Sequence, residues 1–181
     1  MTDTMSFEKL ADELSPQLKA YLRRMVAGSA DADDLLQETL LRIASGLETF
    51  KGQADVRNWA YRIATNVAID YLRKNKLAVY QSIESDVPEE DIGDDERLIL
   101  DEMNACVRDV IDTLAPDYRA VIILFNLHGK SVQEIADIIG ISPALVKVRI
   151  HRGKRQLEDA LQKKCTFYVG PNGVVRCDKR Q

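Results

Sequence analysis

The sequence predicts an all-α protein of two small helical modules joined by an acidic linker. Apolar residues recur at helical spacing over most of the 181 residues, a Pro- and Gly-containing acidic stretch breaks that pattern once, and a doubly capped helix-turn-helix follows the break. A short C-terminal β-hairpin is the one departure from helix. The chain divides on this reading into a first module at 1–77, a linker at 78–96, a second module at 97–164 and a cysteine-containing tail at 165–181.

The first helix runs from about Phe7 to Met25, with Leu10, Leu14, Leu18, Tyr21, Leu22 and Met25 on one stripe and an interruption expected near Ser15-Pro16. After Ala27-Gly28-Ser29, capped by Ser29 or Asp31, a second helix reaches about Leu47 with Leu36, Leu40, Ile43 and Leu47 on its core face. A loop from Glu48 to Asp55 leads to a third helix, about Val56 to Asn75, lined on its inner side by Trp59, Ile63, Val67 and Tyr71. Between Glu84 and Glu96 there are eight acidic residues and no basic one, together with Pro88 and Gly93, and like charges in a row keep a chain extended. Helix returns by Leu98, with Leu100, Met103, Val107, Val110, Ile111 and Leu114 facing a core, and Pro116 opens a further helix through Leu127.

The segment from Ser131 to Arg155 carries the most information. Ser131 is placed to cap a helix with Glu134 as its capping-box partner, and Ile135, Ala136 and Ile139 mark the inner face. Gly140 suits the left-handed residue at the helix end, and Ser142-Pro143 supplies the next cap and first turn. In the second helix Val146, Ile150 and Leu157 face inward with small Gly153 between them, while Lys147, Arg149, Arg152, Lys154 and Arg155 crowd the remaining surface. A capped pair of helices with a one-signed second helix is the outline of a helix-turn-helix whose second helix lies in a DNA major groove. A net charge of −4 does not oppose this, because local field governs where a polyanion binds and the five basic residues from Lys147 to Arg155 have no acidic neighbour among them.

Three features of the first module go beyond packing. Asp34, Gln37, Glu38 and Leu41 form an outward stripe, either a docking surface or a solvated face. Arg62, Asn66, Asp70 and Arg73, with Lys74 beside them, form a polar stripe able to meet phosphates and base edges. The loop holding Phe50, Lys51, Gly52 and Gln53 offers a stacking surface and hydrogen-bond partners for an unstacked base, or is an ordinary surface loop.

Together these segments resemble bacterial sigma factors of the extracytoplasmic-function class, in the sigma-70 family. The likeness is carried by Asp31-Ala-Asp-Asp-Leu-Leu-Gln-Glu-Thr-Leu-Leu-Arg42, Phe50-Lys-Gly52, the helix from Val56 to Arg73, Leu114-Ala-Pro-Asp-Tyr-Arg119, Glu134-Ile-Ala136 and Val146-Lys-Val-Arg-Ile-His-Arg152, collinear from about Phe7 to Leu161. The resemblance implies a subunit that binds core RNA polymerase at the β′ clamp helices and the β flap and directs it to promoter DNA. It casts Asp34, Gln37, Glu38 and Leu41 as clamp contacts. It assigns the downstream (minus ten) element to Phe50, Lys51, Arg62, Asn66, Asp70, Arg73 and Lys74. It assigns the upstream (minus thirty-five) element to the second helix of the helix-turn-helix, where Lys147, Val148, His151 and Arg152 read bases and Arg149 and Arg155 hold phosphates. It also implies an anti-sigma partner, and an acidic linker that occupies a basic channel until RNA displaces it. Leu145 and Val148 depart from the family's Thr and Ser around the Val-Lys pair, so the promoter sequence does not carry over, and Val148 is left to meet a thymine methyl. Gly153 replaces a common Ala and weakens its helix by up to about 1 kcal/mol.

No Gly-rich nucleotide loop, metal-hydrolase motif or nucleophile–base pair is present, and His128 and His151 lack triad partners, so no catalytic role and no cofactor are expected. No apolar run reaches bilayer length and the N-terminus lacks a signal core, which predicts a cytoplasmic protein not inserted in a membrane. Three cysteines are too few for a disulfide scaffold; Cys106 falls on a core stripe. In the tail, Thr166 to Val169 and Val174 to Cys177 flank Gly170-Pro-Asn-Gly173, a hairpin pattern. Cys165 and Cys177 are either incidental or a redox or metal pair, with no further ligands nearby for a zinc site. Two other readings remain open from the residues alone: a DNA-binding regulator that never joins polymerase, and a decoy with a degenerate DNA face.

Overall fold

The computed structural model describes residues 7–26, 29–50, 55–79, 109–169 and 175–179. The linker's acidic run, the core stripe from Leu98 to Val107 including Cys106, and Lys51, Gly52 and Gln53 lie outside the described residues.

Three helices form the first module: α1 (Phe7–Met25), α2 (Ser29–Leu47) and α3 (Val56–Val79). The stripe expected on α1 is buried throughout, Leu10 to Met25. The interruption expected at Ser15-Pro16 does not occur; Pro16 sits inside a continuous helix. Proline removes the backbone donor to the Asp12 carbonyl, the Ser15 hydroxyl beside it adds a bond to the Ala11 carbonyl at 2.5 Å, and buried leucines on both sides hold the axis together.

On α2 and α3 the inner faces are broader than expected and centred elsewhere. Ala32, Leu35, Thr39 and Ile43 are the buried residues of α2, with Leu36, Leu40 and Leu47 packed at the margin. On α3 the centre is Ala60, Tyr61, Ala64, Thr65 and Ala68, while Trp59, Ile63 and Tyr71 are partly buried. Alanines at three successive turns let α3 approach its neighbours closely, and the larger residues spread around that contact. Gly46 serves the same end, since a Cβ there would stand 2.9 Å from Trp59. The buried Tyr21 and Thr65 hydroxyls satisfy each other at 2.9 Å. α3 continues to Val79, two residues beyond the expected end of the module at 77.

The second module holds α4 (Pro116–Asn126), α5 (Val132–Ile139) and α6 (Pro143–Lys164), preceded by a helical end at 109–111 that buries Val110 and Ile111. Every local signal of the helix-turn-helix is realised. Ser131 accepts from the Glu134 N–H while the Glu134 carboxylate accepts from the Ser131 N–H, a reciprocal capping box. Gly140 closes α5 with φ 77°, and Ser142 caps α6 by accepting from the Leu145 N–H, with Pro143 opening the helix. The inner face of α5 is Ile135, Ala136 and Ile138 rather than Ile139, which is half-buried. Gly153 has a packing reason: a Cβ there would stand 2.8 Å from Ile122 Cγ1 on α4, so α4 and α6 touch where the side chain is missing.

α6 ends at Cys165, whose N–H bonds the Leu161 carbonyl, and the chain turns into β1 (Cys165–Val169), paired antiparallel with β2 (Val175–Lys179). The hairpin expected from the sequence is therefore present. Its register sets Cys177 opposite Phe167 and Lys179 opposite Cys165.

Candidate nucleic-acid interface

The basic surface of α6 is built by the caps that start it. Ser142 and Pro143 fix where the helix begins, and burial of Val146, Ile150 and Gly153 fixes its rotation. That rotation leaves Lys147, Val148, His151, Arg152, Lys154 and Arg155 exposed, with Leu145 and Val148 each 41% accessible. Arg149 is separated from this group. Its side chain is only 21% exposed and its Nη1 lies 3.9 Å from Asp117 Oδ1, on the flank facing α4.

On α2, Asp34, Gln37, Glu38 and Leu41 are all exposed on the face opposite the buried residues, and Leu41 is 70% accessible. Glu38 pairs with Arg42 at 2.6 Å, an exposed contact of small energetic weight. An isolated leucine so open, flanked by polar residues that accept or donate, suits a docking surface.

On α3, Arg62, Asn66, Asp70, Arg73 and Lys74 are exposed as one stripe, as expected. The stripe is nevertheless not free. Arg62 Nε donates to the Ile138 carbonyl of α5 at 3.4 Å, and Arg73 lies 4.0 Å from Asp117 of α4. A polar cleft of about 400 Å³ lies between the modules, lined by Asn66, Asp70 and Arg73 from α3 and by Asp117 and Ile139. Phe50 stacks on Trp59 with ring centroids 4.9 Å apart, so its ring already has an aromatic partner within the fold.

The junction between the modules contains residues whose contacts no sequence pattern gave. Arg119, buried on α4, donates to the Met25 carbonyl at the end of α1 at 2.7 Å and to the Asp112 and Leu114 carbonyls, and pairs with the Asp112 carboxylate at 3.2 Å. Burial depresses its pKa, opposed by the Asp112 charge. A cation at the carbonyl end of α1 is well placed against the helix dipole. His128 is wedged between Tyr21 and Tyr61, with centroid distances of 5.5 and 5.6 Å, and its Nδ1 is 3.1 Å from the Tyr61 hydroxyl. Lys130 donates to Asn58 Oδ1 of α3 at 3.2 Å and to Glu134 at 3.1 Å. The only available signal was the Leu-Ala-Pro-Asp-Tyr-Arg run, which marks Asp117 and Arg119 as a motif without saying what they touch.

Cys165 is buried and disulfide-bonded, so it is not the incidental thiol of the simplest reading. Among the described residues no group of three or more His, Cys, Asp or Glu is arranged to hold a metal ion, and no helix is long and apolar enough to cross a membrane.

Comparison with known proteins agrees with this geometry. The Sigma-70 region 2 family matches residues 10–78, and the Sigma-70, region 4 family matches residues 104–157. The chain is 31% identical over 163 residues to the extracytoplasmic-function sigma factor SigX of Bacillus subtilis, covering 87% of this chain and 84% of that protein. It is 29% identical to SigE of Mycolicibacterium smegmatis over 87% of this chain, and spans 62% of that relative's length. The fold is shared with the sigma factor RpoE of Bartonella quintana, solved with the anti-sigma factor NepR, at TM-score 0.66 and 24% identity over 86% of this chain and 96% of that one. The chain belongs to the extracytoplasmic-function class of sigma-70 factors, the subunits that give RNA polymerase its promoter specificity.

Proposed function

We propose that the chain docks on core RNA polymerase through Asp34, Gln37, Glu38 and Leu41 of α2 at the β′ clamp helices, with the second module at the β flap, and performs no bond chemistry itself. Lys147, Val148, His151 and Arg152 read the upstream element from the major groove, and Arg155 holds phosphate. Arg149 joins Arg155 once it leaves Asp117. The stripe Arg62, Asn66, Asp70, Arg73 and Lys74, with Phe50 and Lys51 of the adjoining loop, captures the downstream element as it unstacks. Residues 1–77 and 97–164 act as the two gripping modules, 78–96 as their acidic tether, and 165–181 as a tail outside both. The protein works in the cytoplasm, where promoter DNA is, and an anti-sigma factor restrains it, as the NepR complex of the B. quintana neighbour suggests.

The observation that carries this reading is the exposed face of α6, set by Ser142 and Pro143 and carrying Lys147, Arg152, Lys154 and Arg155 with no acidic residue among them. Cations supply salt-dependent affinity and register, and a few side chains at the groove floor supply the sequence preference. Opening the duplex costs a few kcal/mol per disrupted step, which polymerase contacts and captured bases offset. Transcription by purified core polymerase, with and without the protein, on duplex templates tests the reading. New promoter-specific initiation is expected, and its loss with Leu41→Asp. Promoter binding without new initiation would place the protein among regulators that never join polymerase.

A further inference from the structure

Two contacts tie the DNA-reading stripe of the first module to the second. Arg62 is tied to the Ile138 carbonyl, and Asp117 lies 4.0 Å from Arg73 and 3.9 Å from Arg149. One carboxylate thus stands between an arginine of each DNA-facing helix, where a phosphate oxygen would otherwise go. Asn66, Asp70 and Arg73 line a cleft whose far wall is Asp117 and Ile139, so the packed second module narrows the approach of a nucleic-acid strand to α3.

The centre of the junction is titratable. The groups facing His128 are Tyr21 and Arg24 of α1, Tyr61 of α3, and Lys130 two residues along its own connection. Two are cations and two are tyrosines; no carboxylate is among them. We propose that the packing of the two modules is a self-inhibiting latch released by acid: with His128 neutral and seated between Tyr21 and Tyr61 the second module covers the DNA-reading stripe of α3, and with His128 protonated the modules part. A proton here would add a third positive charge next to Arg24 and Lys130 in a half-buried site.

The sign follows from linkage. Burial, and then the Arg24 and Lys130 charges, lower the His128 pKa in the packed state. Parting returns the ring to water and to the ordinary value of about 6.5. As pH falls through that value the parted form binds the proton first, so opening is favoured by acid and the packed form dominates above it.

The latch rests on the promoter-reading assignment only for its consequence, because its test contains neither DNA nor polymerase. Small-angle X-ray scattering on the full chain, from pH about 8 down to about 5.5, reports compactness, and NMR titration of the His128 ring reports its protonation. A reversible rise of about a tenth or more in the radius of gyration is expected, with a midpoint that follows the His128 titration. His128→Gln should remove the acid response. A wild-type chain of constant size, an equal acid response in His128→Gln, or an expansion that does not follow the His128 ring would overturn the latch. None of those results would touch promoter recognition, whose failure would appear only in the transcription assay.

Discussion

The polar faces of α3 and α6 are built alike and sit in opposite circumstances. Each is a cation-rich polar stripe on a helix whose other side is buried, and each side chain of interest but Arg149 is exposed. The α6 face meets solvent along its length. The α3 face looks onto α5 and Asp117, which hold two of its arginines. Residue exposure alone therefore does not establish that a binding face is available; the neighbouring element decides, and here that element belongs to the second module.

The difference can be broken most forcefully at Arg119, the buried cation that joins the modules. Arg119→Leu removes the donor to the Met25, Asp112 and Leu114 carbonyls and one ion-pair partner of Asp112. A loss of about 1–3 kcal/mol is expected in urea unfolding, the range for buried carbonyls left without a donor. A loss under about 1 kcal/mol would mean that the junction is far weaker than its geometry implies.

The free face is sharpened by separating readout from affinity. Arg152→Ala should weaken binding to the preferred upstream element by about 1–3 kcal/mol while leaving unrelated duplex almost unaffected. Arg155→Ala should weaken both equally and reduce the slope of log affinity against log salt by about 0.9, one phosphate contact. Fluorescence anisotropy on the two duplexes at several salt concentrations distinguishes them. Identical behaviour of the two variants would remove the division of labour assigned to α6.

Gly153→Ala comes next. Alanine favours the helix by about 1 kcal/mol, yet its Cβ meets buried Ile122 at 2.8 Å, and overpacking costs typically 1–3 kcal/mol. Thermal unfolding should show a small net destabilisation, only partly relieved by adding Ile122→Val, which removes the Cδ1 methyl at 3.0 Å but keeps Cγ1 at 2.8 Å. The sequence alone suggested the opposite sign, because it showed the propensity penalty without the neighbour on α4.

That reversal marks where the chain was legible. The helix-turn-helix could be read residue by residue, since a capping box, a left-handed glycine and a proline at the first turn act within a few positions of themselves. The all-α class and the terminal hairpin followed from periodicity and turn chemistry in the same local way. Depth was less legible. Leu36 and Leu40 were placed on the core line of α2, but α2 packs against both α1 and α3, and Ala32, Leu35 and Thr39 fall between them. Pro16 looked like a break because its lost hydrogen bond is local, whereas the buried stripe that overrides it is tertiary. The Tyr61–His128 contact joins residues 67 positions apart, with no periodic or motif signal to pair them.

The smallest effect tests the most local device. In the capping box the Ser131 N–H holds the Glu134 carboxylate, and this bond, chiefly, keeps the Glu134 pKa below its usual range; the Ser131 hydroxyl and Lys130 push the same way against partial burial. A carboxyl depressed in the folded state adds stability that is complete above its unfolded value of about 4.3 and is lost as pH falls through the lower folded value. Glu134→Gln should therefore show its full cost at neutral pH and almost none near pH about 3, which flattens the acid limb of the stability curve. Ser131→Ala should cost about 1 kcal/mol at neutral pH and only weaken the acid limb slightly, because the N–H that chiefly holds the carboxylate remains in place. Urea midpoints from pH about 7 to about 3 compare the two. An acid limb unchanged by Glu134→Gln would mean that the charge at the start of α5 is solvated rather than engaged, and the cap would then act through the Ser131 hydroxyl alone.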